Sequence, residues 1–209
     1  MTGSSTPSPL VIVRVAEPED QEAIERCRFE VYGSEGFIDP TDYPDGRESD
    51  HYDAYSQAVV ATVGPDAKVV GTSRLILGSG GILPVQDPRH HNLDISSFGN
   101  VAEISRLCVR SEHQDGRISL GLYRCLFHLL DVHNIDTVLA VVDEAFFDTL
   151  CWIGFPFSKV GPVRDHMGLT VPCACRTAEV LPALRSNENS RALSVDVLFE
   201  QPFTGQIIV

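Results

Sequence analysis

The chain has 209 residues, 43% of them hydrophobic and 22% charged. That is the make-up of one large globular domain or two small ones, long enough to bury a core without disulfides or metal. Its formal net charge of −13 argues against nucleic acid or an anionic membrane as partner, and no run reaches the roughly 18 apolar residues of a membrane span.

Residues 1–9 (MTGSSTPSP) lack the basic start and apolar centre of a signal peptide and are expected to be disordered. Residues 10–15 (LVIVRV) alternate as a short strand. Glu17-Pro18-Glu19-Asp20 opens a helix, with proline in the first turn and acids at the positive end of its dipole. Ala23, Ile24, Cys27 and Val31 carry that helix to about Tyr32. Residues 33–48 form a Gly/Pro/Asp-rich loop of the length expected for a lid. Residues 56–63 and 68–77 read as a hairpin around Gly64-Pro65-Asp66, and 78–99 as a loop with little pattern. Residues 101–110 (VAEISRLCVR) alternate as a strand. Residues 119–134 are an amphipathic helix with Leu122, Leu126, Leu129 and Leu130 towards the core. Residues 137–142 (TVLAVV) suit a sheet centre, and 144–153 a helix ended by Gly154. Strands at 155–160 and 169–175 and a helix at 177–184 follow. Residues 193–209 are too apolar for a solvated tail, alternate at Val195, Val197 and Phe199, and are expected to pack on the domain or on a second subunit, as in a homodimer.

This order predicts an α/β fold, an α+β mixed sheet with helices on both faces, in a domain over residues 10–185 with an extension at 186–209. The six cysteines (Cys27, Cys108, Cys125, Cys151, Cys173, Cys175) sit mostly in apolar segments and read as reduced thiols of a cytoplasmic protein. The seven histidines, His90-His91 included, lack ligand spacing, so no metal is expected. No dinucleotide, P-loop, nucleophile-elbow or zincin motif is present.

Three clusters carry chemistry. Arg28 to Tyr32 ends the first helix. Glu48-Ser49-Asp50-His51-Tyr52-Asp53 follows the long loop. Glu103-Ile104-Ser105-Arg106 lies on the long strand, where Glu103 and Ser105 share a face and Arg106 takes the other unless a bulge intervenes. Taken singly, each also fits a capping, salt-bridge or edge role.

With Gly71-Thr72-Ser73-Arg74-Leu75, these clusters resemble the autoinducer synthase group, the acyl-homoserine lactone synthases and N-acyl amino acid synthases on the GNAT fold. A closer resemblance is to acyltransferases associated with PEP-CTERM/exosortase systems. It shows in Asp42-Tyr43-Pro44-Asp45-Gly46, Val101 to Leu107, Leu120 to Arg124 and Gly161-Pro162. The resemblance runs from about residue 10 to 180. Phe37 stands where lactone synthases usually carry Trp, and the loop before Asp50 is longer than theirs. Both departures favour an amino acid over S-adenosylmethionine as acceptor. The short Q/R-x-x-G-x-G/A phosphate loop of most GNAT enzymes is absent between Arg110 and Gly121, which fits a carrier-protein donor.

The resemblance implies an N-acyltransferase that moves a fatty acyl group from an acyl-carrier-protein or CoA thioester, a cosubstrate rather than a resident cofactor, to the amine of an amino acid or similar acceptor. The alternatives are a lactone synthase using S-adenosylmethionine, a non-catalytic carrier or small-molecule binding module, and an acetyl-CoA-dependent acetyltransferase. Glu103 is the candidate base within the Glu103, Ser105, Arg106 motif. Backbone N–H groups near Cys108 and Val109 would polarise the thioester. Arg74 and Arg106 would hold an acceptor carboxylate or brace the acidic loop, and Arg28, Asp50 and Asp53 would close that loop over an acceptor site that includes Tyr32 and Phe37. Gly116 and Gly121 would let backbone N–H groups reach a donor phosphate. Phe146, with Phe147 and Leu150, lines an acyl pocket or is ordinary core. Arg110, Arg117 and Arg124 form a basic patch for an acidic carrier protein, or a solvated face.

Overall fold

The computed structural model describes residues 10–165 and 168–209; the expected disorder of residues 1–9 lies outside them. The strands are β1 (Val11–Val15), β2 (Ser56–Val63), β3 (Lys68–Leu77), β4 (Val101–Val109), β5 (Thr137–Asp143), β6 (Ser158–Lys159), β7 (Arg164–Asp165), β8 (Leu169–Arg176) and β9 (Gln206–Ile208). The helices are α1 (Gln21–Glu35), α2 (Arg117–Val132), α3 (Glu144–Ile153), α4 (Thr177–Ser186), α5 (Glu188–Ala192) and α6 (Val195–Glu200). One sheet runs β6-β8-β5-β4-β3-β2-β1-β9, with β7 also on β8. Its one parallel pair is β4 with β5.

Alternation divides the sheet between two layers. Val59, Ala61, Val70 and Leu75 face α2, α3 and α4, whose Leu122, Leu126, Leu150 and Leu184 complete the main core. Val60, Val69 and Cys108 face α1 through Ile24 and Cys27. The helices therefore cover both faces. Helix α1 runs past Tyr32 to Glu35 and stops at Gly36, whose φ of 76° is left-handed.

Three segments differ from the sequence expectation. Residues 78–99 are not patternless filler: Leu83 and Val85 are fully buried and roof Ile76, Val101 and Leu139. Of residues 155–160 only Ser158–Lys159 is strand, because Phe155 and Phe157 turn into the core. The alternation at Val195, Val197 and Phe199 belongs to a helix, α6, and Gln206–Ile208 then pairs antiparallel with β1.

The return of residues 187–209 fixes two residues with other expected roles. Arg124 is buried rather than part of a solvated patch. It donates to the carbonyls of Leu198 (3.2 Å) and Gln201 (2.6 Å). Gly121 lies inside α2 against the sheet edge, where a Cβ would meet Val13 at 3.0 Å and Val209 at 3.2 Å. It is a close-packing glycine, not part of a phosphate loop. All six cysteines are free thiols, and no described helix is long and apolar enough to cross a membrane.

Deleting residues 190–209 removes the buried Val195 and the Phe199 ring packed on Phe127 and Phe155. At about 1.5–3 kcal/mol per large apolar side chain and 2–4 °C per kcal/mol, the melting temperature should fall by about 6–24 °C. Differential scanning calorimetry of the truncated chain checks this.

Candidate active site

The site begins with a defect in the sheet. Thr72 pairs with Cys108 but Arg74 with Ser105, so β4 carries one residue more than β3 between those pairs. Arg106 sits in this bulge with φ at 55°, the left-handed region a non-glycine residue seldom takes. The bulge has two effects. It turns the Arg106 side chain to the same side as Glu103 and Ser105, against the expectation from simple alternation. It also ends the β4–β5 ladder at the Ile104–Ala140 pair, after which the strands part.

Arg106 is held by charge. Its Nη2 lies 2.9 Å from Glu48 and 3.0 Å from Asp50. Arg74, only 1% exposed, takes both oxygens of Asp50 (2.7 and 2.8 Å), one of Asp53 (2.7 Å), and donates through Nε to Ser105 Oγ (2.9 Å). Arg28, also buried, donates to Asp53 at 2.8 Å and lies 3.9 Å from Glu48. Three guanidinium groups thus neutralise three carboxylates. The two aspartates are three apart for a further reason: each caps the short 3₁₀ turn at His51–Tyr55, Asp50 accepting from the Tyr52 N–H and Asp53 from the Asp50 N–H. Burial pushes both carboxyls up, but the arginines outweigh it and hold both below the ordinary aspartate value.

Two cavities open where β4 and β5 part. The first, about 300 Å³, is lined by Asp50, Tyr52, Arg74, Glu103, Arg106, His90 and His91 among others. The second, about 370 Å³, is walled by Leu107, Tyr123, Val142, Phe146, Leu150 and Phe157. Phe37, Ile104, Ser105, Val141 and Thr170 line both, so the cavities meet at the strand gap. Glu103 stands in the polar one, 2% exposed, with Oε2 accepting the Val85 N–H at 2.9 Å. Burial raises its carboxyl to about 7, against the pull of that N–H and of Arg74 and Arg106. A carboxylate poised there exchanges a proton near neutral pH.

The expected site residues fall into groups. Glu103, Ser105, Arg106, Asp50, Arg74, Tyr32 and Phe37 line the polar cavity, and Phe146 the apolar one. Arg106 also stacks 5.8 Å from the Tyr32 ring centroid. Arg28 and Asp53 support this wall from behind. Cys108 turns its side chain to α1, and Val109 packs in the main core. Arg110 is tied to Glu30 and to the Val69 carbonyl, Arg117 pairs with Asp115 in the open, and Arg124 is buried. The three arginines therefore form no common basic face. Gly116, with φ at 84°, precedes α2. Among the described residues no cluster could hold a metal ion. The sequence reading missed Val85, whose backbone N–H donates to Glu103 from a loop, and Thr170, brought in from β8; neither carries a motif.

Replacing Arg28 with Ala leaves Glu48 and Asp53 short of a buried partner, which should cost about 3–5 kcal/mol. Replacing Arg26, which pairs with Glu22 in solvent, should cost no more than about 0.5 kcal/mol. Urea unfolding of the two variants checks the contrast.

The fold and motif order match known proteins. The structure resembles that of BjaI, a CoA-dependent acyl-homoserine lactone synthase solved with SAM and isopentyl-CoA, at a TM-score of 0.68 and 19% identity over 90% of this chain and 89% of that one. It resembles FeeM, an N-acyl amino acid synthase from uncultured soil microbes, at 0.65 and 15% identity over 87% and 99%. It also matches a GNAT-family acetyltransferase of Staphylococcus aureus Mu50, at 0.52 and 16% over 80% and 99%. The chain has the GNAT acyltransferase fold. No curated protein sequence matches it significantly. The resemblance to autoinducer and N-acyl amino acid synthases is borne out, while the narrower PEP-CTERM likeness rests on sequence motifs alone. The profile of the N-acyl amino acid synthase FeeM covers residues 23–179, most of the domain and all three charged clusters, so this chain belongs to the FeeM family of N-acyl amino acid synthases and is an acyltransferase acting on an amine.

Proposed function

We propose that the apolar cavity takes the acyl chain of a carrier-protein or CoA thioester, that the polar cavity takes the amine of an amino acid, and that Glu103 is the general base. The observation that carries this reading is the junction of the two cavities at Ser105, with a buried carboxyl of raised pKa on the polar side only. The thioester carbonyl lies at the junction, and the backbone of β4 beyond Ile104, no longer paired with β5, is the source of N–H groups for its oxygen. The neutral amine attacks the carbonyl carbon as Glu103 removes one of its protons. The C–N bond forms, the C–S bond breaks, and the thiolate leaves and takes up a proton, giving an amide and a free thiol. Four of the five N–H groups of Arg74 go to Asp50, Asp53 and Ser105, so its part is to brace the wall. Arg106, half turned to the cavity, is the remaining cation for an acceptor carboxylate. Phe37, exposed at the mouth of both cavities, separates the two substrates.

A panel of amino acids and S-adenosylmethionine, offered with acyl-carrier-protein and acyl-CoA donors and read by mass spectrometry, tests the reading. Amide product from an amino acid supports it; product from S-adenosylmethionine alone gives the lactone synthase reading. In wild type, kcat/KM should rise with pH through about 7 as Glu103 ionises. Glu103→Gln should lower kcat/KM by on the order of 10²–10⁴-fold and abolish that limb. Turnover within a few-fold of wild type removes Glu103 from the role.

Stability should respond in the opposite sense. A carboxyl whose folded pKa lies above its unfolded value binds more protons when folded, so it lowers stability as pH rises between about 4.5 and 7. Thermal melts of Glu103→Gln should therefore gain on wild type across that interval, and by most above pH 7.

A further inference from the structure

The apolar cavity holds one polar group with no task in the fold. Tyr123, on the second turn of α2, is 8% exposed, with its ring 5.8 Å from Phe155 and 6.5 Å from Phe146 between centroids. It lines the apolar cavity and not the polar one. Among the described residues nothing hydrogen-bonds to its hydroxyl, and that oxygen keeps some exposure. The other polar groups on this wall are engaged. Ser105 Oγ accepts from Arg74 at 2.9 Å, Thr170 Oγ1 lies 3.2 Å from His91 Nε2, and Asp143 accepts the Phe146 N–H at 2.8 Å.

A phenol taken out of bulk water normally finds a partner. If bulk alone were needed, phenylalanine would serve, as it does one turn later at Phe127. Burial also holds the phenol far above its ordinary pKa, so the group is a neutral O–H at any working pH, a hydrogen-bond donor on a residue that lines an apolar ligand space. Resting on the assignment of this cavity to the acyl chain, we propose that Tyr123 donates a hydrogen bond to an oxygen carried on the chain itself. The preferred donor then bears a hydroxyl or keto group along its length rather than being fully saturated. Its place in the wall argues against a part in the reaction, since Tyr123 is not among the residues shared by the two cavities, where the carbonyl must sit.

The test compares decanoyl donors with the same chain bearing a hydroxyl or keto group at carbon 3, 5, 7 or 9. Each is presented as a CoA and as a carrier-protein thioester, to wild type and to Tyr123→Phe. In wild type at least one oxygenated donor should show kcat/KM roughly tenfold above its saturated parent, the worth of one neutral hydrogen bond. Tyr123→Phe should bring that ratio close to one, with a melting temperature and circular dichroism spectrum like those of wild type to show that the fold is kept. Because the readout is a ratio between two donors in the same variant, a general loss of activity does not imitate it. Wild type that favours no oxygenated donor, or a preference that survives Tyr123→Phe, overturns the proposal and leaves a hydroxyl that is only hydrated. Absence of transfer from every donor to every acceptor is a different result: it overturns the assignment of the cavity, and this proposal with it.

Discussion

The rest of the site depends on one compensated burial of charge. Arg28, Arg74 and Arg106 leave bulk water together with Glu48, Asp50 and Asp53. Desolvating any of these groups alone is costly, and the attraction between them repays the cost only when all are in place. Residues from α1, β3, β4 and the loop before β2 must therefore arrive in one geometry. The same ion pairs hold Arg106 in a backbone conformation that costs of order 1–3 kcal/mol, and that conformation breaks the β4–β5 ladder. The gap between two strands, which is where the proposed chemistry has room, is thus maintained by an electrostatic clamp that forms part of its wall.

A second consequence concerns Glu103. The clamp is neutral overall, and the pull of its Arg74 and Arg106 on Glu103 is weaker than the effect of burial. Burial then dominates and the carboxyl rises to about 7, while Asp50, in direct contact with Arg74, stays low. Two carboxylates in one cavity are pushed apart in acidity by what each touches. The paired one shapes the wall, and the solitary one is the proposed base.

Much of this was legible in the sequence because it is local or periodic. Strand alternation placed β2 to β5 within a residue or two, and the leucine spacing placed α2. The clusters at Arg28, Asp50 and Glu103 stood out as charges inside otherwise apolar segments, and they do converge. What could not be read depends on pairing across long separations. The bulge at Arg106 is a mismatch between β3 and β4, invisible in either strand alone. The roof over Glu103 comes from Leu83 and Val85, in a stretch with no period. Arg124 looked solvated because its partners are the carbonyls of Leu198 and Gln201, more than 70 residues on. Arg117 and Arg124 are seven residues apart on one helix, a regularity that says nothing of what covers each of them.

The pairing of β9 with β1 joins residues 206–208 to residues 12–14. On a ribosome, β1 would find β2 after some fifty residues, but its outer edge must wait for residues 206–208. Until then that edge offers unpaired backbone N–H and C=O groups to any neighbouring extended chain, and the Arg124 side chain has no carbonyls to cover. Closure of the sheet along this edge thus depends on the longest-range strand pairing in it. A crowd of nascent chains is a setting in which that open edge is exposed to misassembly.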